Sequence, residues 1–284
     1  MATQLLEYQL DESGFNAECY FPGMTFDDFD TPGDVSLWKI CRMFEAGRVV
    51  PFIHGNYLDF NKLRSSRFHF SLIGGDYYFD SCRSIWEVAR RFHYFPYKIT
   101  VELINVGQSS ITIREVLVNL LDNKEIATFY GKFVYVDKMT KRSQVLPHWH
   151  RLKYQKAESD DKMQFDSSLK SAPDNAYRVK RSIAASDTFN DHTNQASYVR
   201  FALDAAECAR KAQCLSQFTS DICQYPVLKM CTSYRGETLL NDEITTSVWQ
   251  DNNTPAVLNF TIHKDNTLCF TASVTFKPAP CSKL

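Results

Sequence analysis

The densest group of chemically reactive side chains lies in residues 186–201, whose sequence is SDTFNDHTNQASYVRF. His192 follows the polar pair Asn190 and Asp191 in this segment. A histidine can take up and release a proton near neutral pH, which makes His192 a candidate general base. The alternative is structural: His192 is then a solvated residue before a helix, and Asn190 and Asp191 are turn or capping residues.

Two further features near this segment suit the same kind of chemistry. Asn194 and Gln195 lie where a helix is predicted to start, and N–H groups at a helix N-terminus can stabilise a developing oxyanion. Downstream, Glu237 carries a carboxylate that can activate a water molecule when it lies in an apolar pocket. The alternative for Glu237, which follows Gly236 near a turn, is an ordinary surface carboxylate.

The elements that must position these residues occur twice along the chain. In the first half, apolar residues from Val35 to Phe44 recur at helical spacing, with Gly47 near the predicted helix end. Alternating residues then predict strands over 99–103, 110–121 and 126–136.

The second half repeats this order. Residues 198–209 predict a helix with a small, alanine-rich face, and strands are predicted over 239–250, 257–263 and 268–276. A helix that packs on an antiparallel sheet is an α+β architecture, and its repetition suggests a duplication. Between the halves, a polar stretch reads as a surface linker. The predicted organisation is a first domain at 1–152, a linker at 153–175, a second domain at 176–277 and a tail at 278–284.

The motif at 186–201 resembles that of acyl-ACP and acyl-CoA thioesterases of the hotdog superfamily. In that family a Ser-Asp-rich loop leads to Asn-x-His, then Val-Asn-Asn, then a helix that bears a tyrosine. The matching segments here are Asn190-Asp191-His192, Thr193-Asn194-Gln195 and Tyr198-Val199-Arg200-Phe201. Tyr234-Arg235-Gly236-Glu237 is similar to the Tyr-Arg-Arg-Glu segment of double-hotdog acyl-ACP thioesterases, whose glutamate is catalytic.

The resemblance implies two fused hotdog domains, each a long helix wrapped by a curved antiparallel sheet. It implies hydrolysis of acyl thioesters, with His192, Asn190 and Glu237 as catalytic residues and Asn194 and Gln195 positioning the substrate or its oxyanion. The gap between helix and sheet would hold the acyl chain, and no cofactor is implied. A monomeric double hotdog or a homodimer of it is expected.

This sequence departs from the plant-type members of the family at Thr188, where they carry an aspartate; the nearest acidic residue is Asp187. The first half has no Asn-x-His at the corresponding place, so the motif implies at most one active site per chain.

The chain ends in Ser282-Lys283-Leu284. A C-terminal Ser-Lys-Leu is recognised by the peroxisomal import receptor, which we expect as a partner. Peroxisomes handle CoA esters rather than carrier-protein esters, so the predicted location and the resemblance together favour acyl-CoA as substrate.

Two other functions fit parts of the sequence. Hotdog-type enoyl-CoA hydratases carry Asp-x-Asn-Pro-x-His, and Asp187 and His192 have that offset; however, no proline follows an asparagine, and Asn190 lies one place late. A non-catalytic acyl-CoA-binding hotdog protein is the second alternative, because the aspartate of the motif is missing.

Composition excludes other classes. The chain has 284 residues, 44% of them hydrophobic, and a net charge of -1. Its basic residues form no stripe that indicates nucleic-acid binding, and no apolar run is long enough for a transmembrane helix. The nine cysteines contain no Cys-x-x-Cys pair, which indicates reduced, mostly buried thiols rather than a metal or redox site.

Two further expectations concern structure. Glu45 and Arg48 have the spacing of an ion pair on a helix. His148 and His150 are expected in a solvated segment after the last strand of the first half.

Overall fold

The computed structural model describes residues 7–29, 35–64, 67–79, 96–155, 171–189 and 192–277. The chain divides into two units, one formed by Met1–Phe26 with Arg42–Phe165 and the other by Asp27–Cys41 with Asp166–Leu284. The domain and linker boundaries suggested by the sequence stay predictions. The predicted tail, including the targeting residues Ser282, Lys283 and Leu284, lies outside the described residues.

The first unit contains an antiparallel sheet of strands β1 to β6 in the order β1-β2-β4-β5-β6-β3. The strands are β1 (Glu7–Leu10), β2 (Asn16–Phe21), β3 (Phe68–Phe79), β4 (Tyr97–Val106), β5 (Ser110–Asn119) and β6 (Lys124–Asp137). Register shifts interrupt the pairing at Leu72/Gly74, Leu103/Asn105 and Leu117/Val118. Irregularities of this kind bend strands, so they let the sheet curve around a helix.

That helix is α1 (Leu37–Ile53), which belongs to the first unit from Arg42 onward. Shorter helices follow at α2 (Phe60–Leu63) and α3 (His148–Tyr154). Phe44 of α1 packs against Tyr77 and Phe129 of the sheet, with ring centroids 5.9 and 5.8 Å away. The helix continues past Gly47, so the prediction that it ends there is wrong. A Cβ atom on Gly47 would lie 2.5 Å from the side chain of Ile99, so this glycine lets α1 approach β4 closely.

Two structural expectations for the first unit need correction. Arg48 forms its ion pair with Glu115 of β5, at 3.2 Å, while Glu45 acts on Arg48 through longer-range attraction. His150 is fully buried in α3, not solvated, and its Nε2 lies 3.1 Å from the carbonyl oxygen of Leu58. Both side chains find partners far away in the sequence, which local spacing does not reveal.

The second unit contains an antiparallel sheet in the order β10-β13-β12-β11-β7, and a separate two-stranded ribbon of β8 and β9. The strands are β7 (Tyr177–Ser182), β8 (Thr188–Phe189), β9 (His192–Thr193), β10 (Val227–Tyr234), β11 (Glu243–Gln250), β12 (Val257–Lys264) and β13 (Thr267–Phe276). The predicted strand over 239–250 starts only at Glu243. Residues before it form a turn in which the Leu239 N–H donates to the Asp242 carboxylate at 2.7 Å.

Helix α4 (Gln195–Lys211) packs on β7, β11, β12 and β13. The alanines of the predicted small face are buried, among them Ala202, Ala205 and Ala206. Strands β12 and β13, on which the helix packs, also carry buried side chains such as Phe260 and Phe270. Small residues on the helix allow close packing on the sheet. Because they recur at helical spacing, this helix can be predicted from the sequence alone.

The seven cysteines in the described part of the chain are free thiols. Only Cys19, Cys41 and Cys269 of these are buried, so the expectation of mostly buried thiols is wrong there. Among the described residues, no helix combines the length and apolar character needed to cross a membrane.

Candidate functional site

Two segments distant in sequence meet at the start of α4. The backbone N–H and the hydroxyl of Thr193 both donate to the carbonyl oxygen of Thr238, each at 2.9 Å. The two threonine hydroxyls lie 2.6 Å apart. Both residues are buried, at 4% and 0% exposure, so these bonds are shielded from water. The segment with His192 is therefore joined to the segment with Glu237.

Tyr198 extends this contact from inside α4. Its hydroxyl accepts the N–H of Thr238 at 3.1 Å and lies 3.0 Å from the Thr238 hydroxyl. The Tyr198 ring stacks on Phe270 with centroids 5.4 Å apart. Burial raises the pKa of Tyr198, so the hydroxyl stays protonated at neutral pH. Thr193, Tyr198 and Thr238 form a buried hydroxyl network.

The loop with Glu237 is also fixed from the sheet. The N–H groups of Arg235 and Gly236 both donate to the carbonyl oxygen of Cys269 on β13, at 2.8 and 3.1 Å. After Thr238, Asp242 binds the Leu239 N–H and the ammonium of Lys264, each at 2.7 Å. Lys264 holds the pKa of Asp242 below its usual range. The backbone on both sides of Glu237 thus has fixed partners.

The predicted catalytic side chains occupy the open side of this arrangement. His192 lies on β9, paired with Phe189, and its side chain is exposed. Glu237 is also exposed, so the apolar pocket expected around its carboxylate does not enclose it. Their immediate neighbours Thr193 and Thr238 are bonded, and this places both residues at one edge of the hydroxyl network. Asn190 lies outside the described residues.

The two predicted oxyanion donors at the start of α4, Asn194 and Gln195, differ in whether their backbone N–H groups already have a hydrogen-bond partner. Asn194 caps the helix, because its side chain accepts the Ala196 N–H at 2.8 Å. Its own N–H donates to the carbonyl oxygen of Asp187 at 2.9 Å, so this N–H is already engaged, and a role of Asn194 in positioning the substrate stays a prediction. Gln195 has a backbone N–H with no hydrogen-bond partner in the described part of the chain.

Asp187, the nearest acidic residue to the motif, has a structural role. Its carboxylate binds the Arg200 guanidinium and accepts the Ala184 N–H at 2.9 Å. Its carbonyl oxygen accepts the Ser197 hydroxyl at 3.0 Å. Arg200 in turn lies over the Trp38 ring, 5.3 Å from the centroid. Asp187 therefore anchors the loop before α4, and its carboxylate is already engaged.

Replacing Tyr198 with phenylalanine should destabilise the second unit by about 1–3 kcal/mol, because the buried Thr238 N–H loses its acceptor. Urea unfolding of the variant measures this. Tyr177→Phe on β7 is the matched control, expected within about 0.5 kcal/mol of wild type. Equal unfolding midpoints for the two variants would show that the hydroxyl network contributes nothing.

A cleft of about 270 Å³ lies elsewhere in the second unit, on β10, β12 and β13. Its lining includes Lys229, Ser233, Thr271 and Ser273, but none of the predicted site residues. Among the described residues, no group of three or more His, Cys, Asp or Glu side chains is placed to hold a metal ion.

Comparison with known structures supports the architecture. An acyl-ACP thioesterase from Bacteroides thetaiotaomicron superposes with a TM-score of 0.71 at 14% identity, covering 94% of this chain and 100% of that one. The 12:0-ACP thioesterase from Umbellularia californica gives a TM-score of 0.66 at 13% identity, covering 98% and 100%. The chain has the double-hotdog fold. The predicted fold class, two fused hotdog domains, is confirmed.

No protein-family model matches the sequence, and no curated protein matches it at a significant level. At identities this low, structural likeness establishes the fold alone. The roles of the predicted site residues therefore stay predictions; these are His192, Asn190, Glu237, Asn194 and Gln195. Sequence reasoning missed the partners that hold them, Thr193 and Thr238, because a threonine carries no signal for a contact across the chain.

Proposed function

We propose that this chain hydrolyses acyl thioesters and that acyl-CoA is its substrate. The observation that carries the proposal is the junction of Thr193 with Thr238, which brings the His192 and Glu237 segments together at the start of α4. Thioester hydrolysis needs a general base that activates water, which His192 or Glu237 can supply, and a donor that stabilises the oxyanion, which the positive end of a helix can supply. The double-hotdog fold supports the same reaction class.

In the proposed mechanism, His192 or Glu237 removes a proton from a water molecule as its oxygen attacks the thioester carbonyl carbon. Negative charge develops on the carbonyl oxygen and is stabilised by the Gln195 N–H at the N-terminus of α4. The tetrahedral intermediate then collapses, the C–S bond breaks, and the thiolate leaves with the electron pair. A thiolate is a good leaving group, so a strong general acid is not required.

Half-exposed apolar side chains lie next to these groups. Leu239 and Leu240, which follow Thr238 directly, are 47% and 50% exposed. They offer an apolar surface beside the proposed site. In this proposal the surface contacts the acyl chain of the substrate.

The test is a thiol-release assay with acyl-CoA esters of different chain length, run beside the same acyl groups on acyl carrier protein. Release from acyl-CoA supports the proposal. Release from the carrier protein alone keeps the hydrolase and overturns acyl-CoA as substrate. Binding of acyl-CoA without any release would overturn hydrolysis and favour the non-catalytic acyl-CoA-binding protein.

The hydratase alternative is disfavoured by Asp187. A hydratase of that type needs a carboxylate able to exchange a proton with water, whereas the Asp187 side chain is buried at 3% exposure and bound to Arg200. Incubation of the protein with a 2-enoyl-CoA and detection of the 3-hydroxy product checks this, and product formation would restore the alternative.

We further propose a peroxisomal location, supported by the terminal Ser282-Lys283-Leu284. A fluorescent protein fused before residue 1 leaves this terminus free. The fusion should accumulate in peroxisomes, and removal of the three residues should leave it diffuse. Unchanged location after the removal would contradict the proposal and the import receptor as partner.

A further inference from the structure

Residues 138–155 of the first unit combine basic and exposed apolar side chains. The segment carries five lysines and arginines and no aspartate or glutamate. The chain as a whole is balanced, with 32 basic and 33 acidic residues, so this segment departs from it strongly. It also contains several of the large apolar side chains that are exposed to water, namely Met139, Val145, Trp149 and Leu152.

The first part of the segment forms a turn at the end of β6. The N–H of Lys141 donates to the carbonyl oxygen of Asp137 at 2.8 Å, and the N–H of Asp137 donates to that of Arg142 at 3.0 Å. Met139 lies within this turn and is 84% exposed. The turn is tied to the start of β3, because the Arg67 guanidinium binds the Asp137 carboxylate at 2.7 Å.

The second part of the segment is α3, which has one face in the protein and one in water. His150 and Tyr154, one turn apart, are buried. Trp149 and Leu152 are three residues apart, so they are neighbours on the helix surface, and they are 42% and 51% exposed. Lys62 of α2 lies over the Trp149 ring, 5.7 Å from the centroid, which places α2 beside this exposed face.

The two acidic residues of these elements lie beneath the surface. The Asp59 side chain is 10% exposed and binds the ammonium groups of Lys62 and Lys153 at 3.3 and 2.6 Å. The Asp137 side chain is 1% exposed and binds Arg67. The surface charge is therefore positive. We call the exposed apolar residues named above, together with the surrounding basic residues, the basic–apolar surface; the basic residues are Lys62, Arg64, Arg67, Lys138, Lys141, Arg142, Arg151 and Lys153.

An anionic lipid bilayer is the partner whose chemistry uses both components of this surface. Tryptophan favours the boundary between headgroups and acyl chains, and exposed aliphatic side chains leave water when they enter that region. Lysine and arginine are attracted to anionic headgroups, while their aliphatic stems lie along apolar surface. A nucleic acid or an acidic protein offers a partner to the cations but little to Met139, Val145 and Leu152.

We propose that the basic–apolar surface binds the first unit to an anionic phospholipid membrane, with Trp149 and Leu152 entering the headgroup region. This binding is independent of the proposed hydrolysis. Long acyl chains partition into the same membrane, because each buried methylene group adds to the free energy of transfer. Membrane binding therefore brings the protein to lipids that carry such chains.

The experiment is cosedimentation of the full chain with vesicles of phosphatidylcholine alone or with about one-third phosphatidylserine. The protein should bind the anionic vesicles at least about tenfold more tightly, and added salt should weaken this binding. Two double variants separate the components. Trp149→Gln/Leu152→Gln, the apolar variant, and Lys141→Gln/Arg142→Gln, the basic variant, should each bind the anionic vesicles about tenfold more weakly or worse.

Leu121→Gln/Lys124→Gln is the matched control, since it removes an exposed leucine and an exposed lysine at the opposite end of β6. It should bind as wild type does, and thermal unfolding should show all three variants to be folded. Absence of binding to either vesicle, or equal binding to both, overturns the proposal. Binding that the basic variant loses and the apolar variant keeps overturns it in favour of an anionic macromolecule. Dimers in light scattering that the apolar variant abolishes, without vesicle binding, overturn it in favour of a second copy.

Discussion

Replacing His192 with alanine is expected to slow acyl-thioester hydrolysis by at least about a hundredfold, the range in which a general base contributes. The stability of the variant should stay within about 0.5 kcal/mol of wild type, because the His192 side chain is exposed. The combination is informative, since an exposed residue whose loss removes activity and leaves folding intact acts in the chemistry. Thiol release and thermal unfolding on the same preparation measure both.

Two companion variants define the roles further. His263→Ala on β12 removes a histidine outside the site and should retain wild-type activity. Glu237→Gln keeps the shape of the side chain and removes its charge, so it should lose at least about tenfold if Glu237 shares the base function. Equal activity of His192→Ala and wild type would contradict the role of His192. Loss with Glu237→Gln alone would then assign the base to the carboxylate.

The parts of the fold with strong local periodicity could be predicted from the sequence. Helix α4 and strand β13 repeat buried residues at the helical and strand periods, and the structure places both where expected. Strand β3 was not predicted, since it shows no clean alternation of buried and exposed residues. Strand β2 was not predicted either, although its buried Ala17 and Cys19 alternate with the less buried Glu18. The end of α1 was misjudged because Gly47 serves packing against Ile99, and the sequence does not distinguish that use from a helix cap.

The candidate site also has a part that could be predicted from the sequence and a part that could not. The start of α4 could be predicted from the order of polar and apolar residues around Asn194, which is the N-cap. The bonds between Thr193 and Thr238 span 45 residues. Contacts over such a distance depend on how strands pair and where turns fall, so local pattern does not contain them. The same reasoning explains why the Arg48–Glu115 pair was missed, with partners 67 residues apart.

The second large effect is a loss of stability that we expect when the buried Arg48–Glu115 ion pair is broken. Glu115→Leu leaves Arg48, whose side chain is 6% exposed, without its partner carboxylate in the core of the first unit. Because arginine does not lose its proton in proteins, the uncompensated charge should destabilise the unit by about 3–5 kcal/mol. The double variant Arg48→Met/Glu115→Leu removes both charges and should recover most of that loss. Hydrogen exchange of the β5 and β6 amides measures both. A double variant no more stable than Glu115→Leu would contradict an ionic origin.

The same pair predicts how stability depends on pH. Burial raises the pKa of Glu115 to about 7, against the opposing effect of Arg48, and Glu45 adds to the increase. A pKa raised in the folded state means that folding favours the protonated carboxyl. Its contribution to stability is therefore fully present below the unfolded pKa of about 4.5 and is lost as pH rises through about 7. Opening of β5, followed by hydrogen exchange, should become easier between about pH 4.5 and about pH 7 by more than in Glu115→Gln, which cannot titrate at this position. Parallel pH profiles for the two proteins would show that Glu115 does not titrate in this range. One oxygen of Glu115, Oε2, is buried without a hydrogen-bond partner among the described residues, so a proton is the simplest way for this carboxyl to reduce the cost of its burial.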